Sequence, residues 1–391
     1  MELLRKYERF MLKNASQISA VENSLRSLSY ILPGRFQDSE LASQALFAAL
    51  NILGLYHDNI LTRAAASSTA VRHLPSSQNR YTRFWMSISS NYDRIALVLT
   101  LLQYTEVVAE MSVQKKWGRE AKWRVVTLIE LVKVICRLAL FRKTGYRLLL
   151  HPSYLERDVD PSEIDPDEPS SDSDAHHHLS QADTTWVGAR TGTLHPTLAA
   201  SIELNGATNG SLKANGIANG KGKAGANGHV KAKHPNVTAF LMSKVLRIDT
   251  LLPPDRLVRP LRDFGRLAEL LFIVRPLIYV LAIRRYGKNS WRPWWISFIL
   301  EIMARALLHE YYEIRGGKRT MTSLEREEHT RRWYLLFFYV LRSPFYDNYT
   351  RSRLDGFIES WSKRPLLSLV AGIIQDYKPL WESVYFYTAG S

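Results

Sequence analysis

The stretch RVVTLIELVKVICRLALF, residues 124–141, carries eleven valine, leucine, isoleucine and phenylalanine side chains together with three charges inside it. The charges are Glu130, Lys133 and Arg137, and their spacing of three and then four residues places them on one stripe of an α-helix. Each apolar residue favours membrane insertion by roughly 0.3–0.6 kcal/mol, whereas each central charge opposes it by about 2.5–3.5 kcal/mol, so unassisted insertion is unfavourable. The stretch therefore predicts a helix whose remaining circumference needs a core, a partner helix or acyl chains.

Helical spacing of apolar residues extends through most of the chain. Residues 3–144 predict four or five helices. Farther along, we expect a helix that opens at Arg259-Pro260 and runs to Tyr286 with a kink at Pro276, and another helix following residues 291–295. No segment alternates as a strand does. The predicted fold is therefore all-α, a membrane-associated helical bundle in two halves.

Composition divides the chain into three regions. Residues 1–155 form an N-terminal helical region, residues 156–235 an insert, and residues 236–391 a C-terminal region with 26 of the 43 aromatic residues. The insert begins with acidic, proline and serine residues and continues through a triple histidine into repeated Asn-Gly pairs. Such a composition cannot build a packed core, so we expect the insert to be disordered and of low complexity.

The charge balance favours an anionic partner. The chain has 52 lysine and arginine residues against 37 acidic residues, a net charge of +15, which suits a lipid surface, nucleic acid or an acidic protein. No recognisable nucleic-acid-binding motif frames these cations, so membrane lipids are the predicted partner and nucleic acid is not. A single cysteine, Cys136, excludes an intramolecular disulfide or a zinc finger.

The sequence gives little sign of catalysis. Residues 220–225 (GKGKAG) fit a dinucleotide fingerprint but lack a preceding strand, and His176–His178 lack the neighbours that fix a catalytic metal. Glu106 and Glu110 could share a proton, but we expect them to form an exposed helical stripe. We therefore predict no enzyme activity, no catalytic or metal-binding residue and no cofactor.

Several sequence blocks, in order along the chain, resemble the peroxin-16 family of peroxisomal membrane biogenesis proteins. The resemblance skips only the insert and rests on residues 29–36 (SYILPGRF), Trp117-Gly118 with Trp123, Arg275-Pro276, residues 290–294 (SWRPW), residues 341–347 (LRSPFYD) and the aromatic C-terminus, residues 376–377 (DY) and 385–387 (YFY).

The resemblance implies a protein of the peroxisomal membrane, with an endoplasmic-reticulum route, that acts as a receptor or scaffold and recruits other peroxisomal membrane proteins. It also implies peroxin-3 and peroxin-19 as partners. Two alternatives to a membrane-embedded receptor stay open: a peripheral helical scaffold, and a lipid-binding or lipid-transfer protein that uses an apolar groove.

The candidate membrane-binding or partner-binding residues are aromatic and arginine side chains of the C-terminal region. Tryptophan mixed with arginine suits a membrane interface, although the same residues could instead pack helices together or determine the fold. We further predict that the aromatic tail anchors the C-terminal half to a membrane or a partner. The candidates are Trp291, Arg292, Trp294, Trp295, Arg342, Phe345, Tyr346, Trp381, Tyr385, Phe386 and Tyr387.

Overall fold

The computed structural model describes residues 2–31, 39–67, 75–158, 185–187, 194–196, 252–364 and 367–390. Within these residues, five helices precede the insert, in agreement with the four or five predicted. They are α1 (Glu2–Lys13), α2 (Ala15–Ile31), α3 (Ser39–Ser67), α4 (Ser77–Ile88) and α5 (Ser90–Lys143). The part of the sequence block 29–36 that follows Ile31 lies outside the described residues.

Helix α5 is a hairpin of two antiparallel arms. At Gly118 the backbone takes φ 82° and ψ −173°, a conformation that glycine adopts far more readily than other residues. The Nζ atom of Lys133 lies 3.0 Å from Oε2 of Glu106, although 27 residues of straight helix would separate them by about 40 Å. The first arm, residues 90–117, therefore packs against the second arm, residues 119–143.

The C-terminal region adds seven α-helices within the described residues: α6 (Phe264–Tyr286), α7 (Trp291–Ile314), α8 (Ser323–Tyr334), α9 (Phe338–Leu341), α10 (Arg351–Ser362), α11 (Leu367–Ser383) and α12 (Phe386–Ala389). Short 3-10 turns at Pro254–Arg256, Gly317–Thr320 and Leu335–Phe337 and a π-helical turn at Tyr346–Thr350 connect parts of this region.

Two predicted helix starts in this region were wrong. Helix α6 begins at Phe264, since Pro260 lies before it and pairs with Arg147 in an isolated bridge. Helix α7 begins at Trp291, because the Ser290 side chain accepts a hydrogen bond from the backbone N–H of Arg292 at 3.3 Å and so caps the helix. Helix α6 continues through Pro276.

The two predicted halves are joined by shared hydrophobic clusters. One cluster joins Val134 and Phe141 of α5 to Leu261, Ile273 and Leu308 of the C-terminal region. A second joins Val126 and Ile129 to α6 and the C-terminal tail. Met1–Pro166 and Leu246–Ser391 accordingly form a single compact unit.

The insert forms a second unit, Asp167–Val245. Within it, the structure describes two short antiparallel strands, β1 (Thr185–Val187) and β2 (Leu194–Pro196). The rest of the predicted disordered insert lies outside the described residues, except residues 156–158 at its start. There Glu156 exchanges two hydrogen bonds with the side chain of Asn79, at 2.8 and 3.0 Å.

The predicted all-α class is confirmed, and the paired three-residue strands of the insert do not change it. Among the residues that the structure describes, no helix is both long enough and apolar enough to span a bilayer.

Candidate membrane and partner surfaces

The two arms of α5 are joined by buried ion pairs. The Nζ atom of Lys133 lies 3.0 Å from Oε2 of Glu106 and 3.3 Å from Oε1 of Glu130, and all three residues are buried. Burial raises the pKa of Glu106 to about 7, while the charge of Lys133 acts in the opposite direction. The expectation that Glu106 and Glu110 are exposed was wrong, because the hairpin at Gly118 turns both carboxylates onto the second arm.

A second group of buried ion pairs connects α6, α7 and α8. Arg332 lies 2.7 Å from Glu269 and 2.8 Å from Glu328. On α7, Glu301 lies 2.6 Å from Arg305 and also contacts Arg275 of α6. A buried charge is tolerated only when it is paired. The charged side chains of these ion pairs therefore face one another inside the protein.

Large apolar side chains occupy the outer faces of the same helices. Along α7, Trp295 and Ile299 are 50% and 56% exposed, and Ile302 and Met303 continue the row. We call these four residues the α7 row. A water-soluble helix usually buries its apolar residues. Helix α7 buries some of them, such as Leu308, but leaves this row exposed, which suits apolar surroundings.

The second arm of α5 likewise exposes apolar side chains and buries charged ones. Leu128, Leu131 and Ile135 are exposed, whereas Glu130 and Lys133 are completely buried. We call the three exposed residues the α5 row. The charged stripe predicted from residues 124–141 therefore faces the interior, and the opposite, apolar side of the helix is available for contacts.

Exposed cations and aromatic rings lie where α6 ends and α7 begins. Arg285 and Arg292 are exposed, and the guanidinium carbon of Arg292 lies 5.3 Å from the ring centroid of Tyr286. Trp291, the first residue of α7, is also exposed. This mixture of amphipathic rings and cations, one turn before Trp295, is typical of a membrane–water interface.

The candidate residues Trp291, Arg292 and Trp295 therefore lie on the surface, but Trp294 lies inside. Its ring stacks on Phe298 at 4.9 Å and on Phe345 at 5.8 Å between centroids. Its Nε1 atom donates a hydrogen bond to the carbonyl oxygen of Tyr339 at 3.1 Å. Trp294 thus packs helices together, the alternative left open by the sequence.

Three further candidates contribute to the fold of the C-terminal region. Arg342 is buried and donates hydrogen bonds to the carbonyl oxygens of Thr388, at 2.7 Å, and of Ala389. Tyr346 is buried, with its hydroxyl 3.2 Å from Glu382, and Phe345 is half-buried. These contacts are made within the chain.

The aromatic tail is anchored to the chain itself. The carboxylate of Glu110 accepts hydrogen bonds from the backbone N–H groups of Tyr385, at 2.7 Å, and of Phe386, at 3.1 Å. Both rings are buried, while Trp381 and Tyr387 are half-buried. In this arrangement the tail closes the core, and its predicted role in binding a membrane or a partner stays a prediction.

Neither row was singled out by sequence reasoning. The spacing of Trp295, Ile299 and Met303 by four residues could have identified the α7 row, as could the Glu301–Arg305 pair on the opposite side of the helix. The residues at which metal or nucleotide binding was considered and set aside, 176–178 and 220–225, lie outside the described part of the chain. Within that part, no group of three or more histidine, cysteine, aspartate or glutamate side chains is placed to hold a metal ion.

The family profile and the relatives that match this chain point to the same family. The sequence profile of a family described as "Peroxisomal membrane protein (Pex16)" matches residues 5–383. The chain is 25% identical to peroxisome biogenesis protein 16 of Arabidopsis thaliana, over 98% of this chain and 99% of that protein. It is 22% identical to the peroxisomal membrane protein PEX16 of Schizosaccharomyces pombe, over 92% and 91%.

A shorter match involves peroxisome biogenesis factor 16 of Dictyostelium discoideum, 36% identical over 126 residues, or 32% of this chain and 31% of that protein. No solved structure matches the chain significantly.

Proposed function

The chain belongs to the Pex16 family of peroxisomal membrane proteins, and on this basis we propose that it acts as a receptor or scaffold for other peroxisomal membrane proteins. Its role in peroxisome membrane biogenesis and its place in the peroxisomal membrane follow from the family. The proposed mode of action is recruitment without catalysis. By family resemblance, the proposed partners are peroxin-3 and peroxin-19.

The observation that supports this proposal is the exposed apolar row of α7. On the other side of the helix Glu301 and Arg305 are paired inside the protein, and the α7 row offers apolar surface beside the cations of the α6–α7 connection. Acyl chains would bury the row, and anionic headgroups would meet Arg285 and Arg292. The α7 row is therefore the proposed membrane contact.

The α5 row is the proposed contact for a partner helix. Leu128, Leu131 and Ile135 follow one another at intervals of three and four residues, the spacing at which one helix presents anchors to another. Assigning the membrane to one row and a partner to the other makes the two contacts separable by mutation.

Vesicle flotation tests the membrane contact. The triple variant Trp295→Gln, Ile299→Gln, Met303→Gln should float with vesicles that contain phosphatidylinositol about 100-fold less efficiently than the wild type, because it loses three partly buried apolar side chains at about 1 kcal/mol each. The matched control is Phe10→Gln, Ile88→Gln, which changes two apolar residues of similar exposure, 58% and 59%, on other helices.

Equal flotation of the triple variant and the wild type would refute the membrane contact. Because the vesicles contain no other protein, flotation of the wild type also excludes a scaffold that meets membranes only through its partners. Circular dichroism of both variants verifies that the helices are retained.

Partner capture tests the second contact. Leu128→Ser, Ile135→Ser should weaken the binding of purified peroxin-3 or peroxin-19 and leave flotation unchanged, whereas the α7 triple variant should show the reverse. If both variants lose both activities to the same extent, the assignment of the two rows to different contacts is wrong.

A further inference from the structure

An apolar cavity of about 470 Å³ lies among α3, α5, α8 and the C-terminal tail. Its volume falls in the range of about 300–1,000 Å³ that is usual for small-molecule sites. Phe47, Val107, Leu335, Phe338 and Phe386 supply its apolar walls. Neither proposed contact row contributes a residue to this cavity.

A smaller cavity of about 30 Å³ adjoins one end and shares His151, Arg331 and Leu335 with the larger one. Arg137 lines this smaller space together with Arg331 and Arg332. The apolar cavity therefore ends beside three guanidinium groups, and the carboxylates of Glu269 and Glu328 lie in the same wall.

The three arginines differ in how many hydrogen-bond acceptors the protein offers to their guanidinium groups. Arg332 donates hydrogen bonds to Glu269, Glu328 and the carbonyl oxygen of Leu149, and Arg331 binds Glu328 at 2.7 and 2.9 Å. In the described part of the chain, Arg137 makes no hydrogen bond and no ion pair.

Two carboxylates attract Arg137 from beyond ion-pair distance. They are Glu106 and Glu130, and both already bind Lys133. Burial is the largest influence on Arg137 and lowers the pKa of its guanidinium, and the like charges of Arg331 and Arg332 act in the same direction. Arg137 is half-buried. A guanidinium without an acceptor is unfavourable there, and an anion beside it would supply that acceptor.

His151 lines both the larger and the smaller cavity. Its side chain has accessible surface, yet burial lowers its pKa to about 4, with Arg331 as the next cause. Both facts agree if the exposed part of the ring faces the cavity. At neutral pH the imidazole is therefore uncharged and can donate a hydrogen bond without adding another charge.

We propose that this cavity binds a single-chain anionic amphiphile, with its acyl chain along the apolar walls and its carboxylate or phosphate beside Arg137. The planar fork of a guanidinium matches either headgroup with two parallel hydrogen bonds. A neutral chain could occupy the walls but would leave Arg137 without an acceptor.

Equilibrium dialysis of the purified full-length protein tests the proposal with three probes: oleate, oleyl alcohol and oleoyl lysophosphatidic acid, each below its critical micelle concentration. One oleate or one lysophosphatidic acid should bind per chain, at least tenfold more tightly than oleyl alcohol, because only the anions pair with Arg137. The tighter of the two anions identifies a carboxylate or a phosphate headgroup as the natural one.

Two variants locate the site. Arg137→Gln should weaken binding of the anion about tenfold or more and leave binding of oleyl alcohol unchanged. The matched control is Arg124→Gln on the same arm of α5, since Arg124 is exposed and its only described ion pair is a surface contact with Glu120 at 3.8 Å. Val107→Trp should block all three probes by filling the cavity.

The affinities of the wild-type protein for the three probes test the proposal without any variant. This test therefore holds even if a substitution prevents folding. Equal affinity for oleate, lysophosphatidic acid and oleyl alcohol, many molecules bound per chain, or an unchanged affinity in a folded Arg137→Gln protein would each overturn it. The assay contains no vesicles, and the α7 triple variant should bind the anions like the wild type. Failure here is thus distinguishable from failure of the proposed membrane contact.

Discussion

Replacing Glu110 with alanine should lower the free energy of unfolding by about 4 kcal/mol. Glu110 is completely buried, lies 2.7 Å from Nζ of Lys122 and accepts the backbone N–H groups of Tyr385 and Phe386. Its removal leaves a buried ammonium group and two amide donors without their anionic partner, a change that typically costs about 3–5 kcal/mol.

Glu110→Gln should cost less, about 2 kcal/mol, because the amide oxygen can still accept one hydrogen bond but has lost the charge. The matched control is Glu120→Gln, which removes an exposed partner of Arg124 and should change stability little. Urea denaturation measures the three free energies, and hydrogen exchange at Tyr385 and Phe386 reports whether the tail is released.

The expected order of destabilisation is alanine, then glutamine, then the Glu120 control. If Glu110→Ala proves as stable as the control, or if exchange at Tyr385 and Phe386 is unchanged, Glu110 does not hold the tail. The anchoring of the tail within the chain would then be wrong, and a contact of its aromatic residues with a membrane or partner would regain support.

Three further predictions concern the hairpin, the buried ion pairs and the tail. Gly118→Ala should lower the free energy of unfolding by about 1–2 kcal/mol because an alanine there is held at positive φ. The control Gly356→Ala, in the exposed helix α10, should raise it by about 0.5–1 kcal/mol. Thermal unfolding compares the two variants. Glu106 binds a proton more tightly when folded than when unfolded, so stability should fall by roughly 3 kcal/mol between about pH 4.5 and pH 7, and Glu106→Gln should remove this contribution in denaturation curves measured across that range. Arg342→Lys should cost about 1–3 kcal/mol, measured by urea denaturation, because lysine lacks the fork that reaches the two tail carbonyls.

Part of the helical structure could be predicted from periodicity alone. Four or five helices were expected before the insert, where the structure describes five, and the helix ending at Tyr286 was expected too, because apolar spacing reports local structure directly. The errors at Pro260 and Trp291 concern helix starts, which depend on capping contacts. Ser290 caps α7 through its own hydroxyl, and nothing in apolar spacing distinguishes this serine from a residue one turn away.

Periodicity could not predict which face of each helix points into the protein and which points outward. Periodicity shows that Glu130, Lys133 and Arg137 share a stripe, but it does not show whether that stripe meets solvent or other charges. The acceptor for Lys133 is Glu106, 27 residues earlier, and it comes within reach only because the chain reverses at Gly118. The buried charges therefore depend on tertiary structure.

The same dependence explains why the candidate residues separate into two groups. A tryptophan–arginine block contains no information on which ring faces inward, and consecutive positions of a helix point about 100° apart. Trp294 consequently enters the core while Trp291 and Trp295 stay outside. The first group, with Arg342 and Tyr385, determines the fold; the second group is available for binding.

The stability of the folded protein depends on what covers its outer faces, because charged pairs lie inside and apolar rows lie outside. In water, the exposed parts of the α7 row and the α5 row contribute no burial energy. The buried ion pairs of the helices behind them add little net stability to that of the hydrophobic clusters. A membrane or partner that covers the rows binds the folded state alone and therefore stabilises it by mass action. The protein is therefore most stable where these rows are covered, so its apolar outer faces favour residence at the membrane that it helps to build.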